Sequence, residues 1–117
     1  MTVQELIDSG MFAVVHVGEN TERSISRPFC CDLLSVAMSR APEGCAWVTV
    51  MGNMNTLAVT ALTEAACVIL AEGAALDEMA EKKAMQQEIT VLSTSEPIFE
   101  AALKIWSKLQ KEGEEWN

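Results

Sequence analysis

The sequence predicts one α/β domain, with a mostly parallel sheet of four or five strands flanked by helices as an α/β/α sandwich. Two observations support this prediction. Short apolar segments alternate with amphipathic segments along the chain. Several apolar segments also lack polar alternation, which is typical of parallel strands buried on both faces by crossover helices. With 117 residues, 50% of them apolar, the chain is long enough to enclose one core.

The amino-terminal part is predicted to hold a short helix, a strand and a loop. Thr2 and Glu5 match a capping box, so a helix should begin there and end near Asp8. Residues 11–17 are apolar and partly β-branched, which predicts a buried strand. Residues 18–28 are polar and irregular, which predicts a loop.

Two adjacent cysteines, Cys30 and Cys31, precede an acidic residue and an apolar run. Aspartate is a favourable N-cap, so Asp32 is predicted to cap a helix that ends near Ser39. The cysteine pair would then lie at a helix start, where the positive end of the helix can favour a reactive thiolate.

The rest of the chain repeats the strand–helix alternation. The predicted elements are strand 45–51, helix 56–65, strand 67–71, helix 76–87, strand 89–93 and a last helix that begins near residue 97. In the fourth of these, Leu76, Met79, Ala80 and Ala84 are expected to face inward. The last helix has a wide apolar stripe centred on Phe99, Ala102, Leu103, Trp106 and Leu109 or Gln110, and widened by Ile98, Ala101 and Ile105. We expect one domain over residues 1–112 and a flexible tail over 113–117.

Composition excludes several classes of function. The net charge of −9 argues against nucleic acids and anionic membrane surfaces as partners, because both need clustered Lys and Arg. The acidic start of the chain has no basic segment typical of a signal peptide, and no apolar run approaches membrane-spanning length. We therefore expect a cytoplasmic location, in which the four cysteines are free thiols.

Ligands of open α/β sheets bind beyond the carboxyl ends of the strands, and this rule selects the candidate ligand-binding residues. The segments that follow the predicted strands are small and polar, so their backbone N–H groups and side chains can contact a ligand. The same residue types also form ordinary turns and caps, which is the alternative for each of them. The candidates are His16, Gly18, Asn20, Asp32, Gly52, Asn53, Asn55, Glu72, Gly73, Ser93, Thr94 and Ser95.

Motifs of known enzymes are missing from the sequence. It contains no Walker-type phosphate loop, no GxGxxG and no GxSxG. A thiol-dependent enzyme would have to use Cys30 or Cys31 with His16, the single histidine. The four cysteines lack the close pairing of zinc and iron–sulfur sites, so we predict no metal and no cofactor.

An ordered set of segments resembles the DRTGG domain family over roughly residues 3–106. The segments are CDLLSVAM, GCAWVTVMGNMNTLAVTAL, CVILAEG, EITVLST and IFEAALKI. This domain occurs beside the kinase domain of HPr kinase/phosphorylases, beside CBS domains and inside some phosphotransacetylases. Small stand-alone versions occur in anaerobic bacteria, some of them near hydrogenase genes. Asp32 and Asn55 match positions that the family tends to keep, whereas Asn53 stands where the family often has His, and the string that names the family is absent.

The resemblance implies a non-catalytic regulatory or sensing domain that binds a small ligand or a partner protein and lacks the kinase domain. The alternatives are an accessory subunit of an iron–sulfur or hydrogenase-type redox complex, and the thiol-dependent enzyme described above. The wide apolar stripe of the last helix further predicts a homodimer, because such a stripe needs a deep groove or a second copy to cover it.

Overall fold

Ten elements follow one another in the computed structural model, which describes the backbone of residues 1–115 and the side chains of residues 1–112. The predicted flexible tail, 113–117, therefore lies outside the fully described residues. In chain order the elements are α1 (Val3–Asp8), β1 (Ala13–His16), β2 (Pro28–Cys30), α2 (Leu34–Arg40), β3 (Ala46–Thr49), α3 (Met54–Thr63), β4 (Cys67–Leu70), α4 (Glu78–Gln86), β5 (Val91–Ser93) and α5 (Ile98–Glu115). None of the helices in this part of the chain is both long enough and apolar enough to span a membrane.

The five strands form one mixed sheet in the order β1-β5-β4-β3-β2. Strands β2, β3, β4 and β5 run parallel to their neighbours, and each is joined to the next by one crossover helix. Strand β1 pairs with β5 in the antiparallel direction and occupies one edge. The predicted fold class, a mostly parallel sheet in an α/β domain, is confirmed.

Side chains of the central strands alternate between two layers of core. On one face, Val48 and Ile69 pack with residues of α1 and α5. On the other face, Val68 and Leu70 pack against α3 and α4, while Trp47 packs with residues of α2. Helices on both faces explain why β3 and β4 are fully buried and carry no polar alternation.

The two edge strands differ from the sequence prediction. Pro28–Cys30 form a strand, although Cys30 was predicted to lie at a helix start. A three-residue strand is too short to show a period of its own, and Pro28 is tolerated because β2 is an edge strand. Strand β1 was predicted to be buried, yet Val14 and Val15 are exposed, since β1 is an edge strand with only β5 beside it.

Two helices present faces that differ from the predicted ones. Ala80 and Ala84 of α4 are buried as predicted, but Met79 is exposed. In α5, Ile105 is fully buried, whereas Phe99, predicted to lie at the centre of the apolar stripe, is 69% exposed. Eight of the first twelve residues of this helix are apolar, so its pattern alone does not identify the face that packs on the sheet.

Candidate functional site

The twelve candidate residues are divided between the two ends of the sheet. Nine of them follow parallel strands and meet at one edge, the carboxyl edge: Asp32, Gly52, Asn53, Asn55, Glu72, Gly73, Ser93, Thr94 and Ser95. His16, Gly18 and Asn20 follow β1, which runs in the opposite direction. They therefore lie at the other end of the sheet, where the parallel strands begin. The prediction of a single site is wrong for these three residues, because it assumed that β1 runs parallel to the rest of the sheet.

The side chain of Asp32 is held at the carboxyl edge by two hydrogen bonds. Thr49 Oγ1 donates to Asp32 Oδ1 at 2.6 Å, and the backbone N–H of Val50 donates to the same oxygen at 2.9 Å. Thr49 is fully buried at the end of β3, whereas Asp32 is exposed in the loop between β2 and α2. One carboxylate oxygen, Oδ1, is thus held by the protein, and the side chain of Asp32 remains exposed to solvent.

The predicted role of Asp32 as a helix cap is wrong. Helix α2 begins at Leu34 with Leu33 as its N-cap, and no side chain accepts a hydrogen bond at this cap. Asp32 instead joins the loop after β2 to the loop after β3, through the two bonds that its carboxylate accepts.

The loop after β3 is held on its other side by the loop after β4. The backbone N–H of Asp77 donates to the carbonyl oxygen of Gly52 at 3.0 Å. A Cβ atom at Gly52 would lie 2.0 Å from the carbonyl oxygen of Ala75, so only glycine allows this close approach. Asn53 then caps α3, because its side-chain oxygen accepts from the backbone N–H of Thr56 at 3.1 Å.

The loop after β4 is joined in turn to the loop after β5. The backbone N–H of Gly73 donates to the carbonyl oxygen of Thr94 at 3.0 Å, and that of Glu72 donates to the carbonyl oxygen of Glu96 at 2.8 Å. Both Glu72 and Gly73 have positive φ, and this backbone conformation forms the tight turn that follows β4. All four loops at the carboxyl edge are therefore linked by direct hydrogen bonds.

At the end of the sheet where the parallel strands begin, His16 and Gly18 hold β1 to the residues that precede β5. His16 Nδ1 lies 2.9 Å from the carbonyl oxygen of Ile89, which can only accept, so this ring nitrogen carries the proton. The backbone N–H of Gly18 donates to Thr90 Oγ1 at 3.0 Å, and a Cβ at this position would lie 2.0 Å from the carbonyl oxygen of Glu88. Both residues thus have a structural role in attaching the edge strand.

Asn20 lines a polar cavity of about 330 Å³ at this same edge. Glu64 and Glu88, which follow the carboxyl ends of α3 and α4, line it as well, and all three residues have positive φ. Arg23 also lies in the wall and is 3.9 Å from Glu43. Sequence reasoning missed most of this cavity, because its walls come from helix ends rather than from the ends of parallel strands.

The cysteines occur as free thiols at both edges of the sheet. Burial, together with the charge of Asp32, raises the pKa of Cys30 and so disfavours the reactive thiolate. Burial also raises the pKa of Cys45 to about 11 and that of Cys67 to about 12. Within the described residues, no group of three or more metal-binding side chains is arranged to hold a metal ion.

The carboxyl edge offers a defined set of groups to a ligand. Asp32 Oδ2 accepts hydrogen bonds from hydroxyl or amino groups, and the amino-terminal ends of α3, α4 and α5 all follow the loops at this edge. Asp32, Glu72 and Glu96 make the surroundings acidic, and Lys104 neutralises Glu96 by a direct ion pair. The carboxylates therefore suit a small ligand with several hydrogen-bond donors, while the helix ends stabilise a limited negative charge on it.

Sequence reasoning missed the residue that orients this site, Thr49. Its hydroxyl was one polar group within an otherwise apolar strand segment, 45–51, and such a group needs a hydrogen-bond partner when buried. That signal was sufficient to include Thr49 among the candidates. The backbone groups of Val50 and Asp77 could not be found in the same way, since every residue carries them.

No family model and no curated protein matches this chain. A solved structure does: the CBS and DRTGG domains of the regulatory region of Clostridium perfringens pyrophosphatase, complexed with its activator diadenosine tetraphosphate. The TM-score is 0.70 at 14% identity, over 89% of this chain and 45% of that one. What the two chains share is the fold. The resemblance to the DRTGG domain is thereby confirmed at the level of structure, and this chain spans less than half of the solved regulatory region.

Proposed function

We propose that this chain is a regulatory domain that binds a small ligand at the carboxyl edge of its sheet. The observation that carries the proposal is the fold that it shares with the regulatory region of a pyrophosphatase, a region that binds a nucleotide activator. The hydrogen-bonded loops around Asp32 support the position of the site, because they present one fixed carboxylate where parallel α/β sheets bind ligands.

The acidity of the carboxyl edge favours a nucleoside or a nucleoside monophosphate over a polyphosphate. Ribose hydroxyls or an amino group would donate to Asp32, whereas each added phosphate would meet the field of Asp32 and Glu72 and of a chain with net charge −9. The activator of the pyrophosphatase region carries four phosphates. That region, however, contains CBS domains in addition to its DRTGG domain. For this chain we therefore expect binding to weaken as phosphates are added.

A thermal-shift series with adenosine, AMP, ATP and diadenosine tetraphosphate tests the proposal. A ligand present at a hundred times its Kd adds about 2.7 kcal/mol of stability, which raises the Tm of a domain of this size by about 10 °C. Asp32→Asn should abolish the shift, because the free oxygen becomes an amide donor while the oxygen that Thr49 and Val50 need is retained. The matched control is Asp8→Asn, which removes the same charge at α1.

Two results would contradict the proposal. The first is the absence of a shift with any nucleoside-containing compound or with a wider set of small metabolites. The second is an equal shift in the wild type and in Asp32→Asn, which would place the ligand elsewhere on the molecule.

We also propose that the chain acts in the cytoplasm as a homodimer, as expected from its sequence. Exposed apolar side chains on α5 support self-association, since large apolar groups in one stripe are typical of interaction surfaces. The thiol-enzyme alternative has less support, because the pKa of Cys30 is raised and His16 lies at the opposite end of the sheet from Cys30.

A further inference from the structure

The polar cavity of about 330 Å³ at the start of the parallel strands is separate from the site around Asp32. We call it the amino-end cavity, and its charged lining consists of Glu19, Arg23, Glu64 and Glu88. Its volume is in the range of small-molecule sites, about 300–1,000 Å³. The loop after β1 lies on one side of it, and the ends of α3 and α4 lie on the other. The proposed function leaves this cavity without a role.

Two of these residues, Glu64 and Glu88, occupy positions that are unfavourable for glutamate. Glu64 ends α3 in the left-handed conformation, with φ of 58°, and Glu88 follows α4 with φ of 54°. Glycine is preferred at such positions, because a Cβ atom makes this conformation costly. A carboxylate is also repelled by the negative end of the helix dipole. Both helices therefore place a negative charge at the cavity against two local preferences, and a bound cation would offset the repulsion.

Arg23 adds a positive group to the same lining. Its side chain is only 27% exposed, and the burial of a charge is costly unless hydrogen bonds compensate for it. Arg23 Nη2 lies 3.9 Å from Oε1 of Glu43, its one ion-pair partner among the side chains of residues 1–112, and this distance is too long for a hydrogen bond. The guanidinium therefore keeps N–H donors for a ligand carboxylate, which it can bind through two parallel bonds.

The sum of these charges specifies the class of ligand. Three carboxylates and one guanidinium leave the lining with an excess of negative charge, beside two negative helix ends. A metal ion does not fit, because the described part of the chain contains no group of three or more side chains arranged to hold one. An organic cation that also carries one carboxylate matches both signs. Ala65, Ala66 and Ile89 provide apolar surface for its carbon chain.

We infer that the amino-end cavity binds a basic α-amino acid, for which free lysine is the simplest probe. The ligand carboxylate pairs with Arg23, and its two ammonium groups pair with Glu64 and Glu88. At neutral pH both amino groups of such a ligand are charged, so its net positive charge offsets the excess on the lining. The ligand thereby joins the loop after β1 to the ends of α3 and α4.

Isothermal titration calorimetry with four small probes tests the class of ligand. Free lysine should bind, whereas cadaverine, which lacks the carboxylate, and norleucine, which lacks the side-chain ammonium, should each bind about tenfold more weakly. Free glutamate has the opposite balance of charge and should not bind. Absence of lysine binding at millimolar concentration would overturn the inference. Cadaverine or norleucine that binds as tightly as lysine would also overturn it, because one of the charged contacts would then be missing.

Arg23→Gln tests the contact with the ligand carboxylate. Lysine should bind this variant about tenfold more weakly, while cadaverine should not lose affinity, because only lysine carries the group that Arg23 contacts. A variant that still prefers lysine over cadaverine would overturn this contact.

Glu88→Gln tests the contact with the ligand ammonium groups. It should weaken the binding of both lysine and cadaverine, since both carry two amino groups. Glu100→Gln is the matched control, because Glu100 is exposed on α5, outside the cavity, and the charge removed is the same. An equal loss of lysine affinity in the two variants would overturn the site, since it would show only an effect of net charge.

Glu64→Gly separates binding from folding. Glycine removes both of the unfavourable effects at this helix end, so the Tm of the unliganded protein should rise. Lysine should nevertheless bind about tenfold more weakly, because one carboxylate is lost. Circular dichroism on heating measures the Tm, and calorimetry measures the Kd. A variant that binds lysine as tightly as the wild type would overturn the inference at any stability.

These outcomes are separable from the proposal for the carboxyl edge. Lysine binding that is lost in Asp32→Asn but kept in Glu64→Gly would place lysine at the carboxyl edge and would overturn this inference alone. A failure of nucleosides to raise the Tm would contradict the site around Asp32, and the titrations with lysine do not depend on that result.

Discussion

At the scale of single residues, the bond between Asp32 and Thr49 gives the clearest prediction of stability. Asp32→Ala removes the acceptor of the buried Thr49 hydroxyl and of the Val50 N–H, so we expect it to lower the free energy of unfolding by about 1–3 kcal/mol. Asp32→Asn keeps an oxygen at the accepting position and should be nearly neutral. Urea denaturation of both variants measures the difference.

The double variant Asp32→Ala/Thr49→Val separates this bond from other effects. In the Thr49→Val background no hydroxyl is left unsatisfied, so Asp32→Ala should cost less than it does in the wild type. Equal costs in both backgrounds would show that the two side chains do not depend on each other.

A second prediction at this scale concerns the buried thiol of Cys67. Its pKa is raised to about 12 in the folded state, above the ordinary thiol value. The folded state therefore holds this proton more tightly, and the resulting stability is complete below about pH 8.5 and is lost as the pH rises toward 12. The free energy of unfolding should fall by up to about 1.4 kcal/mol per pH unit above pH 9.

Cys67→Ala is the variant that isolates this titration. Its stability at pH 7 should be lower, because the thiol fills space in the core, but its decline between pH 9 and pH 11 should be shallower than that of the wild type. Parallel declines in the two proteins would assign the pH dependence to other groups.

At the scale of elements, α5 predicts opposite outcomes for two apolar residues that are six positions apart. Ile105 is fully buried against the sheet, so Ile105→Ala should cost about 2–4 kcal/mol of unfolding free energy. Phe99→Ala removes an exposed side chain and should change the stability of the folded subunit by less than about 0.5 kcal/mol. Chemical denaturation at low protein concentration measures both values without a contribution from dimers.

The loop between β3 and α3 yields a second prediction at this scale. Gly52→Ala would place a Cβ 2.0 Å from the carbonyl oxygen of Ala75, which is backbone, so the loops after β3 and β4 must separate. We expect a loss of about 1–3 kcal/mol. Gly10→Ala is a useful comparison, because no atom lies within 4 Å of its Cβ and any loss comes from its positive φ alone. An equal loss in both variants would exclude the close contact as the cause.

At the scale of the whole molecule, the sheet is unevenly protected from solvent. Strand β4 is central and fully buried, whereas β1 is an exposed edge strand held by a single neighbour. Amide protons of Val68 and Ile69 should therefore exchange through global unfolding, and those of β1 through local opening at a much higher rate. Hydrogen exchange followed by NMR measures this difference, and similar rates in both strands would contradict it.

The fold could be predicted from the sequence where a pattern has only one physical explanation. The apolar segments around Trp47 and Ile69 favour strands covered on both faces, which β3 and β4 are, and the capping box at Thr2 and Glu5 is present as predicted. The direction of β1 could not be predicted, because strand direction depends on pairing across the sheet and leaves no local signal. Because of this error, His16 was predicted to lie at the carboxyl edge, whereas it lies at the opposite end of the parallel strands.

The candidate site could be predicted only in part for a related reason. The topological rule selects the loops after the parallel strands from their order alone, and the structure brings these loops together at the carboxyl edge. The hydrogen bonds within the site depend on three-dimensional neighbours: Asp32 binds Thr49 across the sheet, although its local sequence suggests a helix cap. The inward face of α5 was uncertain because both of its sides are apolar.

The irregular pairing of β1 has a consequence for the behaviour of the protein at high concentration. An uncharged valine-rich edge strand is a template on which further chains can add strands and aggregate. Here the register with β5 shifts between Val14 and His16, so that Val15 forms a bulge, and only four residues are in the strand. A short, bulged edge fits poorly against a second straight strand. The chain thereby keeps an apolar edge without the open-ended fibre growth that a regular edge strand would permit.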